Sequence, residues 1–428
     1  MFFWYFLILT RSLDPNKSDQ KSDRLNGIAS LRKISRVRPM NPNLLYPLAL
    51  LILLSQTVAT AILLSRLLKG ARRRSPLLPQ AADPNLIGKV SVVVPTLNEA
   101  ERISPCLVGL SRQSYELREV IVVDSNSQDG TPDLVKTAGK SDPRFRVMTD
   151  DPLPDGWVGR PWALHTGYLN ISKHSEWFLG IDADTEPQPG LIASIVKVAA
   201  AEGYDMVSLA PQFILQYRGE WCLQPALLMT LLFRFDSAGV DALSPSRVMA
   251  NGQCFLCRRS VLDKLNGYTT AASSFCDDVT LARNIAKGGY KVGFFDGSKV
   301  IKVRMYEGAK ETWHEWGRSL DLKDAANSAQ VWGDVLFLLC VQALPLPMLL
   351  LSSYLLYIGN IYPIIIVIFS LNAFLILLRY GMLMAIAPSY SSSSLFFWLS
   401  PLADIPAVVR IFLSSLSKPT KWRGRSYQ

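Results

Sequence analysis

Three long apolar runs set the first constraint on the fold of this chain. Residues 46–68 are about 23 mostly apolar residues, and 335–358 and 361–386 are runs of similar character. A helix of about 20 apolar residues is long enough to cross a bilayer. We therefore expect one membrane-spanning helix at 44–69 and a helical hairpin at 331–388.

The composition of the chain fits a membrane protein. Hydrophobic residues make up 49% of the 428 residues, and the formal net charge is +10. Much of the excess positive charge flanks the apolar runs, as at Arg72, Arg73 and Arg74, where it suits anionic lipid headgroups. Because this charge forms no stripe interleaved with aromatic residues, a nucleic-acid-binding protein is disfavoured.

Three other segments of the sequence allow more than one structural interpretation. Residues 1–39 are predicted to be a disordered leader or an extension upstream of the true start, because 1–9 are apolar but too short to span a bilayer and 11–38 are polar. Residues 221–235 are apolar but too short to span, so an interfacial helix, an acceptor groove and a buried core helix all stay open. Within 395–428, the apolar part carries Asp404 and Arg410, which favours an interfacial or re-entrant segment followed by a basic tail.

The cysteines indicate a reducing compartment, because the six of them form no disulfide framework. Cys254 and Cys257 have the spacing of a redox or zinc pair. No second pair or histidine cluster accompanies them, so ordinary buried thiols are the favoured interpretation.

Between residues 85 and 330, short apolar runs alternate with helical stretches. The runs at 90–94, 119–123, 145–148 and 177–181 predict strands of a largely parallel sheet with both faces covered. In such α/β sheets, ligands bind beyond the carboxyl ends of the strands. Polar residues stand at three of these strand ends, which predicts one shared site.

The most informative strand end is Asp182-Ala183-Asp184. Alternate residues of an extended chain share a face, so the two carboxylates can point the same way. Carboxylate oxygens suit Mg²⁺ or Mn²⁺, which use one or two protein carboxylates while phosphate oxygens complete the shell. A solvated turn is the simpler alternative for this motif taken alone.

Five motifs in order resemble glycosyltransferase family 2 over residues 89–325. They are Val90–Glu99, Val123–Thr131, Gly159–Leu164, Asp182–Asp184 and the pair Asp277-Asp278. Ser125 departs from the second Asp of many members, and Arg160 replaces the usual Lys. The Gln-x-x-Arg-Trp motif of processive synthases is absent from the sequence, which argues against a polymerase of the cellulose or hyaluronan type.

The resemblance is most specific to a membrane subgroup that contains cyanobacterial carotenoid 2′-O-glycosyltransferases and hopene-associated glycosyltransferases. It implies an α/β GT-A (Rossmann-like) domain between N- and C-terminal transmembrane helices. The implied reaction is metal-dependent, inverting transfer of a sugar from a UDP- or GDP-linked donor to a hydroxyl of a lipophilic acceptor, most specifically a myxol-type carotenoid. A hopanoid or polyprenyl phosphate acceptor and a non-catalytic membrane scaffold are the alternatives.

The resemblance also implies roles for individual residues. Asp278 is the expected general base, although two acids in the first turn of a helix are also favoured by the helix dipole alone. Asp277 is expected to raise the pKa of Asp278, and Arg160 or Arg318 to clamp the diphosphate through its guanidinium. Asp184 is expected to bind Mg²⁺ or Mn²⁺ directly, and Asp182 to contact the ribose or bridge to the metal. The expected donor-binding residues are Pro95, Asn98, Glu99, Asp124, Ser127, Asp129, Arg160 and Asp182, and the expected acceptor residues are Trp313 and Trp316.

The expected setting follows from the same resemblance. The protein is expected to be a multi-pass membrane protein that contacts the nucleotide sugar, the lipophilic acceptor and membrane lipids, with no nucleic acid. Because nucleotide sugars are made in the cytoplasm, the catalytic domain is expected on that side.

Overall fold

The computed structural model describes residues 42–242, 244–316, 322, 325–392, 394–416, 421–422 and 425–426. The chain divides into two units, Met1–Leu54 and Ser55–Gln428. The described part of the first unit is helical, and the predicted leader at 1–39 lies outside the described residues. The fold and site below belong to the second unit.

Twelve strands are described, numbered here in chain order. Their bounds are β1 Val90–Thr96, β2 Leu117–Asp124, β3 Phe145–Thr149, β4 Trp177–Ile181, β5 Thr185–Pro187, β6 Met206–Ala210, β7 Gln212–Phe213, β8 Cys254–Arg258, β9 Val292–Asp296, β10 Ile301–Val303, β11 Lys421–Trp422 and β12 Arg425–Ser426. Seven of them form the main sheet in the order β3-β2-β1-β4-β8-β6-β9.

The main sheet is parallel at β3, β2, β1 and β4, as the sequence predicts. It is mixed beyond that point, because β8 runs antiparallel to both β4 and β6. The sequence analysis did not predict this reversed strand. Three further strands form a small sheet in the order β5-β10-β7.

The α-helices occupy both faces of the sheet and extend beyond it. Their bounds are Pro42–Gly70, Ile103–Ser111, Thr131–Ser141, Gly159–Leu169, Leu191–Ala201, Arg218–Arg234, Arg259–Lys264, Asp277–Lys287, Gly308–Glu311, Ser328–Leu338, Pro345–Tyr357, Pro363–Ile386, Leu395–Trp398 and Asp404–Leu416. Two π-helical turns, Thr312–Trp316 and Leu339–Ala343, directly follow helices Gly308–Glu311 and Ser328–Leu338.

The central strands form two apolar cores because alternate side chains point to opposite faces. In β1, Val92 and Val94 pack on one face with helices Ile103–Ser111 and Leu191–Ala201. Val93 packs on the other face, against residues of helices Gly159–Leu169 and Asp277–Lys287. These two layers hold the carboxyl ends of β1 and β4 in fixed positions beside the start of helix Asp277–Lys287.

Two helices are long and apolar enough to cross a membrane. They cover Tyr46–Gly70 and Pro363–Ser389, with 25 and 27 residues. A third candidate span, expected at 335–358, is bent: Ser328–Ala343 and Pro345–Tyr357 meet at 46°. The break follows from the chain, since Pro345 has no N–H for the helical ladder and follows the π-helical turn.

The C-terminal segment at 395–416 is divided into short elements. Leu395–Trp398 and a 3₁₀ turn at Ser400–Ala403 precede the 13-residue helix Asp404–Leu416. On this last helix Ala407 and Ile411 are buried, whereas Val409 and Leu416 are exposed. A helix of this length is too short to cross a bilayer, and its two apolar faces leave the interfacial or re-entrant interpretation as a prediction.

Helix Arg218–Arg234 packs as a core helix, which agrees with one of the three interpretations left open for this stretch, whereas the acceptor-groove interpretation stays a prediction. Trp221, Leu227 and Phe233 are buried in an apolar core, here called the helical core, that includes Phe337 and Leu383. Further members of the helical core are Leu63, Leu338, Val341, Ile386, Phe397, Ala407, Val408 and Ile411. This helix therefore connects the sheet domain to the apolar helices.

A buried ion pair fixes the C-terminal segment to the long helix Pro363–Ile386. Arg379 is 3% exposed, and its Nε lies 2.9 Å from Oδ2 of Asp404. Its Nη2 donates to Ser400 Oγ at 3.1 Å, and Gln342 Nε2 donates to Asp404 Oδ1 at 3.0 Å. Three chain segments that are distant in sequence thus meet at one polar cluster.

We predict that Arg379→Leu destabilises the protein by about 3–5 kcal/mol, because it leaves Asp404 buried without its cation. The double variant Arg379→Leu with Asp404→Leu should recover most of this loss, since both charges are then removed. Thermal unfolding of the detergent-solubilised protein measures the effect, with the exposed Arg72→Leu as the control. A single variant as stable as the control would contradict the prediction.

Candidate active site

A cleft of about 710 Å³ lies where β1 and β4 end. Nine carboxylates and two guanidinium groups are among its lining side chains: Glu99, Glu101, Asp129, Asp182, Asp184, Asp277, Asp278, Glu311 and Glu315, with Arg102 and Arg160. This excess of negative charge favours a cation and disfavours an unaccompanied phosphate. The structure therefore brings the predicted residues Asn98, Glu99, Asp129, Arg160 and the four key aspartates to one place.

Asp184 has the environment of a group that needs a cation. Its Oδ1 is buried and has no hydrogen-bond partner among the described residues. Burial and the neighbouring Asp182 raise the pKa of Asp184 to about 8, against the lowering effect of Arg102. A divalent cation would supply the missing charge, so the residues present fit the predicted Mg²⁺ or Mn²⁺.

The protein supplies few ligands to such an ion. Within the described ranges, no group of three or more His, Cys, Asp or Glu side chains is placed to hold a metal on its own. Mg²⁺ usually retains several waters and takes one or two carboxylates together with substrate phosphates. The arrangement of Asp182 and Asp184 suits an ion that is completed by a phosphate ligand.

Arg160 holds two of the carboxylates in position. From the first turn of helix Gly159–Leu169, its Nε and Nη2 donate to Oδ1 of Asp182 at 3.0 and 2.9 Å. Its Nη1 donates to Asp277, and Nη2 also donates to the carbonyl oxygen of Gly252 at 2.8 Å. Burial opposes the charge of Arg160, but Asp182 and Asp277 outweigh it and raise the pKa of the guanidinium above its usual range.

The sequence predicts that Arg160 binds a phosphate group of the donor, but in the structure Arg160 has other partners. The four hydrogen bonds point its guanidinium at protein oxygens. A side chain at Gly252 would collide with the guanidinium, which leaves no room for a larger residue there. The observed role of Arg160 is therefore to fix Asp182 relative to Asp277, and a direct phosphate contact stays a prediction.

Asp277 and Asp278 open helix Asp277–Lys287 but have different environments. Asp277 is 4% exposed and paired with Arg160, whereas Asp278 is half-buried in the cleft wall. Burial and the charge of Asp277 raise the pKa of Asp278 to about 6, although Arg160 and the backbone N–H groups of Val279 and Gly252 lower it. Asp278 therefore has the exposure and the proton affinity expected of a general base.

The ends of β1 and β2 are joined by a hydrogen-bonded network. Asp124 accepts from Ser127 N at 2.9 Å and from Ser127 Oγ at 2.6 Å. Ser127 Oγ in turn accepts from Asn98 N at 2.8 Å, and Asn98 adopts a positive φ of 55°. This network shapes the rim of the cleft, and Ser125 lies beside it, donating to Asp150 at 2.8 Å.

Not every predicted donor-binding residue reaches the cleft. Among the described residues that line it, Pro95, Asp124 and Ser127 are missing. Pro95 lies within β1, and Asp124 is 7% exposed, with its carboxylate engaged by Ser127 and Thr96. Their donor-binding roles stay predictions, and the structure shows Asp124 as an organiser of the loop.

Asp129 joins the same rim to the first helix of the sheet domain. Its Oδ2 accepts from Ala100 N at 2.8 Å, and its Oδ1 accepts from the Thr131 hydroxyl at 2.6 Å. Thr131 Oγ1 also accepts from Glu99 N at 2.9 Å. The two loops after β1 and β2 are thereby held as one unit.

The predicted acceptor residues are placed only in part. Trp313 is half-buried against the helical core, and its carbonyl oxygen accepts from Arg410 Nε at 2.8 Å. Trp316 ends the π-helical turn Thr312–Trp316, but its side chain lies outside the described residues. Arg318 also lies outside the described residues.

An ion pair across the cleft was not predicted. Arg102 Nη2 lies 3.1 Å from Oε1 of Glu311, and Arg102 Nη1 donates to the carbonyl oxygen of Met305 at 3.2 Å. Arg102 lies three residues after the end of the first motif at Glu99, and Glu311 lies two residues before the predicted acceptor residue Trp313. Their separation of 209 residues gave no signal that they would pair.

The structure excludes a shared metal at Cys254 and Cys257. Both lie in β8, but Cys254 packs into one apolar core and Cys257 into the core on the opposite face of the sheet. Burial raises the pKa of both thiols well above the usual range. They are ordinary buried thiols, as the sequence favoured.

The sheet, with an acidic cleft beyond the carboxyl ends of β1 and β4, defines an α/β fold of the kind that binds its ligand at that edge. Residues 91–265, less than half of the chain, match the model of the family described as glycosyl transferase family 2. Over these residues the chain is similar to that family, and the predicted GT-A-like α/β fold class is confirmed.

Similar proteins include a 4,4′-diaponeurosporenoate glycosyltransferase of Staphylococcus haemolyticus, 25% identical over 56% of this chain and 63% of its own length. An undecaprenyl-phosphate 4-deoxy-4-formamido-L-arabinose transferase of Yersinia pestis is 33% identical over 28% of this chain and 36% of its own length. The chain thus spans less than two thirds of either relative.

A similar solved structure is a mannosyltransferase from Pyrobaculum calidifontis in complex with GDP-mannose and Mn²⁺. It is 20% identical and has a TM-score of 0.46, with 85% of this chain and 99% of that chain covered.

Proposed function

We propose that this protein is a membrane-bound, inverting glycosyltransferase that moves a sugar from a nucleotide-diphosphate donor to a hydroxyl group of a lipophilic acceptor. The observation that carries the proposal is the acidic cleft, in which Oδ1 of Asp184 is buried without a hydrogen-bond partner among the described residues and the pKa of Asp278 is raised. The first suits a metal-bound diphosphate, and the second suits proton removal.

Donor binding in this proposal requires a divalent cation. A nucleoside diphosphate is an anion, and the carboxylates around the cleft would repel it. Asp184 would be the main ligand and Asp182 a second or bridging one. When bound, Mg²⁺ or Mn²⁺ neutralises the charge that develops on the departing diphosphate. Arg160 keeps Asp182 in position and balances part of its charge.

Asp278 would take the proton from the attacking hydroxyl. Its pKa of about 6 leaves it mostly ionised at neutral pH, yet basic enough to bind a proton as the new bond forms. Asp277, held by Arg160, raises that pKa and stays fixed itself. With one base and no covalent intermediate, direct attack inverts the anomeric carbon.

The acceptor side of the cleft is apolar. Leu231, Met249, Met305, Tyr306 and Leu322 are among its lining residues. Leu231 belongs to helix Arg218–Arg234, which also packs in the helical core. A lipophilic acceptor can therefore contact apolar side chains beside the acidic end of the cleft, and the predicted stacking on Trp313 or Trp316 would extend this surface.

A carotenoid, most specifically a myxol-type 2′-hydroxyl, is the proposed acceptor. The relative named as a diaponeurosporenoate glycosyltransferase supports this choice. The relative named as an undecaprenyl-phosphate transferase favours the alternative of a polyprenyl phosphate, and a hopanoid is the third possibility. A non-catalytic scaffold is disfavoured, because burying Oδ1 of Asp184 without a hydrogen-bond partner among the described residues is costly unless that oxygen binds something.

The proposed setting is a multi-pass membrane protein with its catalytic domain in the cytoplasm. The apolar helices Tyr46–Gly70 and Pro363–Ser389 support membrane insertion. The cytoplasmic side is proposed because nucleotide sugars are made there.

Transfer assays test the proposal and the base together. Membranes containing the protein are given labelled UDP- or GDP-sugars with a carotenoid diol, a hopanoid or a polyprenyl phosphate, and we expect label on the carotenoid. Asp278→Asn should lower the turnover number about 10²–10⁴-fold, because a general base contributes about that much. The control is Asp133→Asn, which changes an exposed carboxylate paired with Lys136. Unchanged transfer by Asp278→Asn would exclude it as the base, and no label on any lipid would exclude the function.

The pH dependence of transfer provides a second test of Asp278. A base with a pKa of about 6 is ionised above that pH and protonated below it. We therefore expect kcat/KM to be level above about pH 6 and to fall about tenfold per pH unit below it, at saturating Mn²⁺. The residual activity of Asp278→Asn should lack this fall. A wild-type profile that stays level down to pH 5 would contradict the assignment.

Metal binding can be measured without turnover. Calorimetric titration of UDP and of GDP into the protein should show binding with Mn²⁺ present and lose it with a chelator. We expect Asp184→Asn to weaken Mn²⁺ binding at least about hundredfold, since even residues behind metal ligands contribute 10–100-fold. Asp133→Asn again serves as the control. Equal Mn²⁺ affinity in Asp184→Asn and the control would rule out Asp184 as a ligand.

A further inference from the structure

The cleft contains a second buried polar atom without a hydrogen-bond partner. Several buried side-chain atoms lack such a partner among the described residues, and two of them belong to residues that line the cleft: Oδ1 of Asp184 and Oε1 of Gln253. The proposed function assigns a cation to Asp184 but gives no role to Gln253, which is 4% exposed. Because a buried polar atom is costly when it is left unpaired, Oε1 of Gln253 indicates a partner from outside the chain.

The backbone of Gln253 is fixed opposite Asp182. Strand β8 begins at the next residue, where Cys254 pairs with Ile181 of β4. The N–H of Asp182 donates to Gln253 O at 3.4 Å, and the N–H of Gln253 donates to Oδ1 of Asn251 at 2.9 Å. Gln253 is therefore held at the edge of the sheet where the proposed metal ligands lie.

The residue before Gln253 connects this edge to the proposed base. Gly252 O accepts from Nη2 of Arg160 at 2.8 Å, and the N–H of Gly252 donates to the carboxylate of Asp278. A side chain at position 252 would collide with the guanidinium of Arg160, so the backbone passes close to it. Gly252 and Gln253 thus form the part of the cleft wall that lies between Asp182 and Asp278.

In the proposed reaction, the donor sugar lies along this part of the wall. Its anomeric carbon is bonded to the diphosphate, which a cation at Asp184 and Asp182 would hold. The same carbon is attacked by the hydroxyl that Asp278 would deprotonate, and the reacting atoms must be aligned for this step. The sugar ring therefore lies between these carboxylates and beside Gln253.

The amide of Gln253 and a sugar hydroxyl have complementary hydrogen-bonding groups. The amide carries an acceptor oxygen and a donor NH₂ group, and a hydroxyl both donates and accepts. Because the amide is uncharged, it suits a hydroxyl better than the cation or the diphosphate, which the charged side chains of the cleft suit. The terminal torsion of glutamine has broad energy wells, so a small rotation turns Oε1 toward a ligand in the cleft.

We infer that Gln253 binds a hydroxyl group of the donor sugar and thereby contributes to the choice of sugar. The inference rests on the proposed function and adds a contact with the sugar to it. A sugar without a hydroxyl at this point would leave the amide unpaired. Sites built to hydrogen-bond a hydroxyl discriminate strongly against analogues that lack it.

Binding measurements without acceptor test the inference. UDP-glucose, GDP-mannose and the labelled donor of the transfer assay are titrated calorimetrically into the protein with Mn²⁺, each beside its free nucleoside diphosphate. In Gln253→Leu, the Kd of the sugar nucleotide that the wild type binds should rise at least about fivefold, because a hydrogen bond to the sugar is lost. The Kd of UDP or GDP should change by less than about twofold, since neither carries a sugar.

Deoxy analogues of the bound sugar nucleotide, each lacking one hydroxyl group, identify the contact. One analogue should bind the wild type at least about fivefold more weakly than the parent does. The same analogue should bind Gln253→Leu as well as the parent does, because the variant no longer contacts that hydroxyl. If every analogue loses as much affinity for the variant as for the wild type, the inference is wrong.

Thermal unfolding separates a ligand contact from a structural one. Because Oε1 of Gln253 has no partner among the described residues, Gln253→Leu should leave the unfolding midpoint of the ligand-free protein unchanged or raise it. The matched control is Gln80→Leu, which changes an exposed glutamine outside the cleft lining and should alter neither the midpoint nor binding. If Gln253→Leu does not fold, Gln253→Met, with a side chain closer in shape, takes its place.

The outcomes distinguish the inference from the proposed function. Equal weakening of the sugar nucleotide and of its free nucleoside diphosphate would overturn the inference alone, as would no weakening of either. A lowered unfolding midpoint of both Gln253 variants would also overturn it, because the amide would then stabilise the fold. A wild type that binds neither UDP nor GDP with Mn²⁺ would overturn the proposed function and the inference with it.

Discussion

The contact of Arg160 with Asp182 and Asp277 is the interaction on which the candidate site depends. One carboxylate follows β4, and the other opens a helix almost a hundred residues later, so nothing in the local chain fixes their separation. Two buried carboxylates would repel each other, and a guanidinium between them converts that repulsion into a defined spacing. Asp278 directly follows Asp277, and Asp184 lies two residues after Asp182, so the positions of both depend on this spacing.

The sequence alone predicts those features of the site that leave a local pattern in the chain, namely the strands and the acids that follow them. Short apolar runs between helical stretches identified four strands, and Asp182 and Asp184 follow the end of β4 as predicted, because the chain must leave the core where a strand ends. The partners of Arg160 were not predictable, since they lie 22 and 117 residues away and a surface cation has the same local pattern. The strand β8 was missed for a related reason, because its direction depends on the loop before it and not on its own composition.

For the apolar helices, too, some features follow from the local sequence and others depend on residues that are distant in the chain. Their lengths follow from composition, but the bend at Pro345 and the partner of Arg379 depend on what surrounds them. Asp404 was noted as an unfavourable charge in an apolar stretch, and the structure pairs it with a cation from another helix. A charge that disfavours a span when the sequence is considered alone thus serves as the attachment point of the C-terminal segment.

Helix Arg218–Arg234 has a mechanical consequence for the cleft. Leu231 near one end lines the cleft, the carbonyl oxygen of Ala226 accepts from Gln342 in the bent apolar pair, and Gly219 lies so close to Ala309 that a side chain there would collide. A helix held at three levels links the apolar helices to the wall of the cleft. A shift of the segment that carries Gln342 therefore has a direct path through this helix to Leu231.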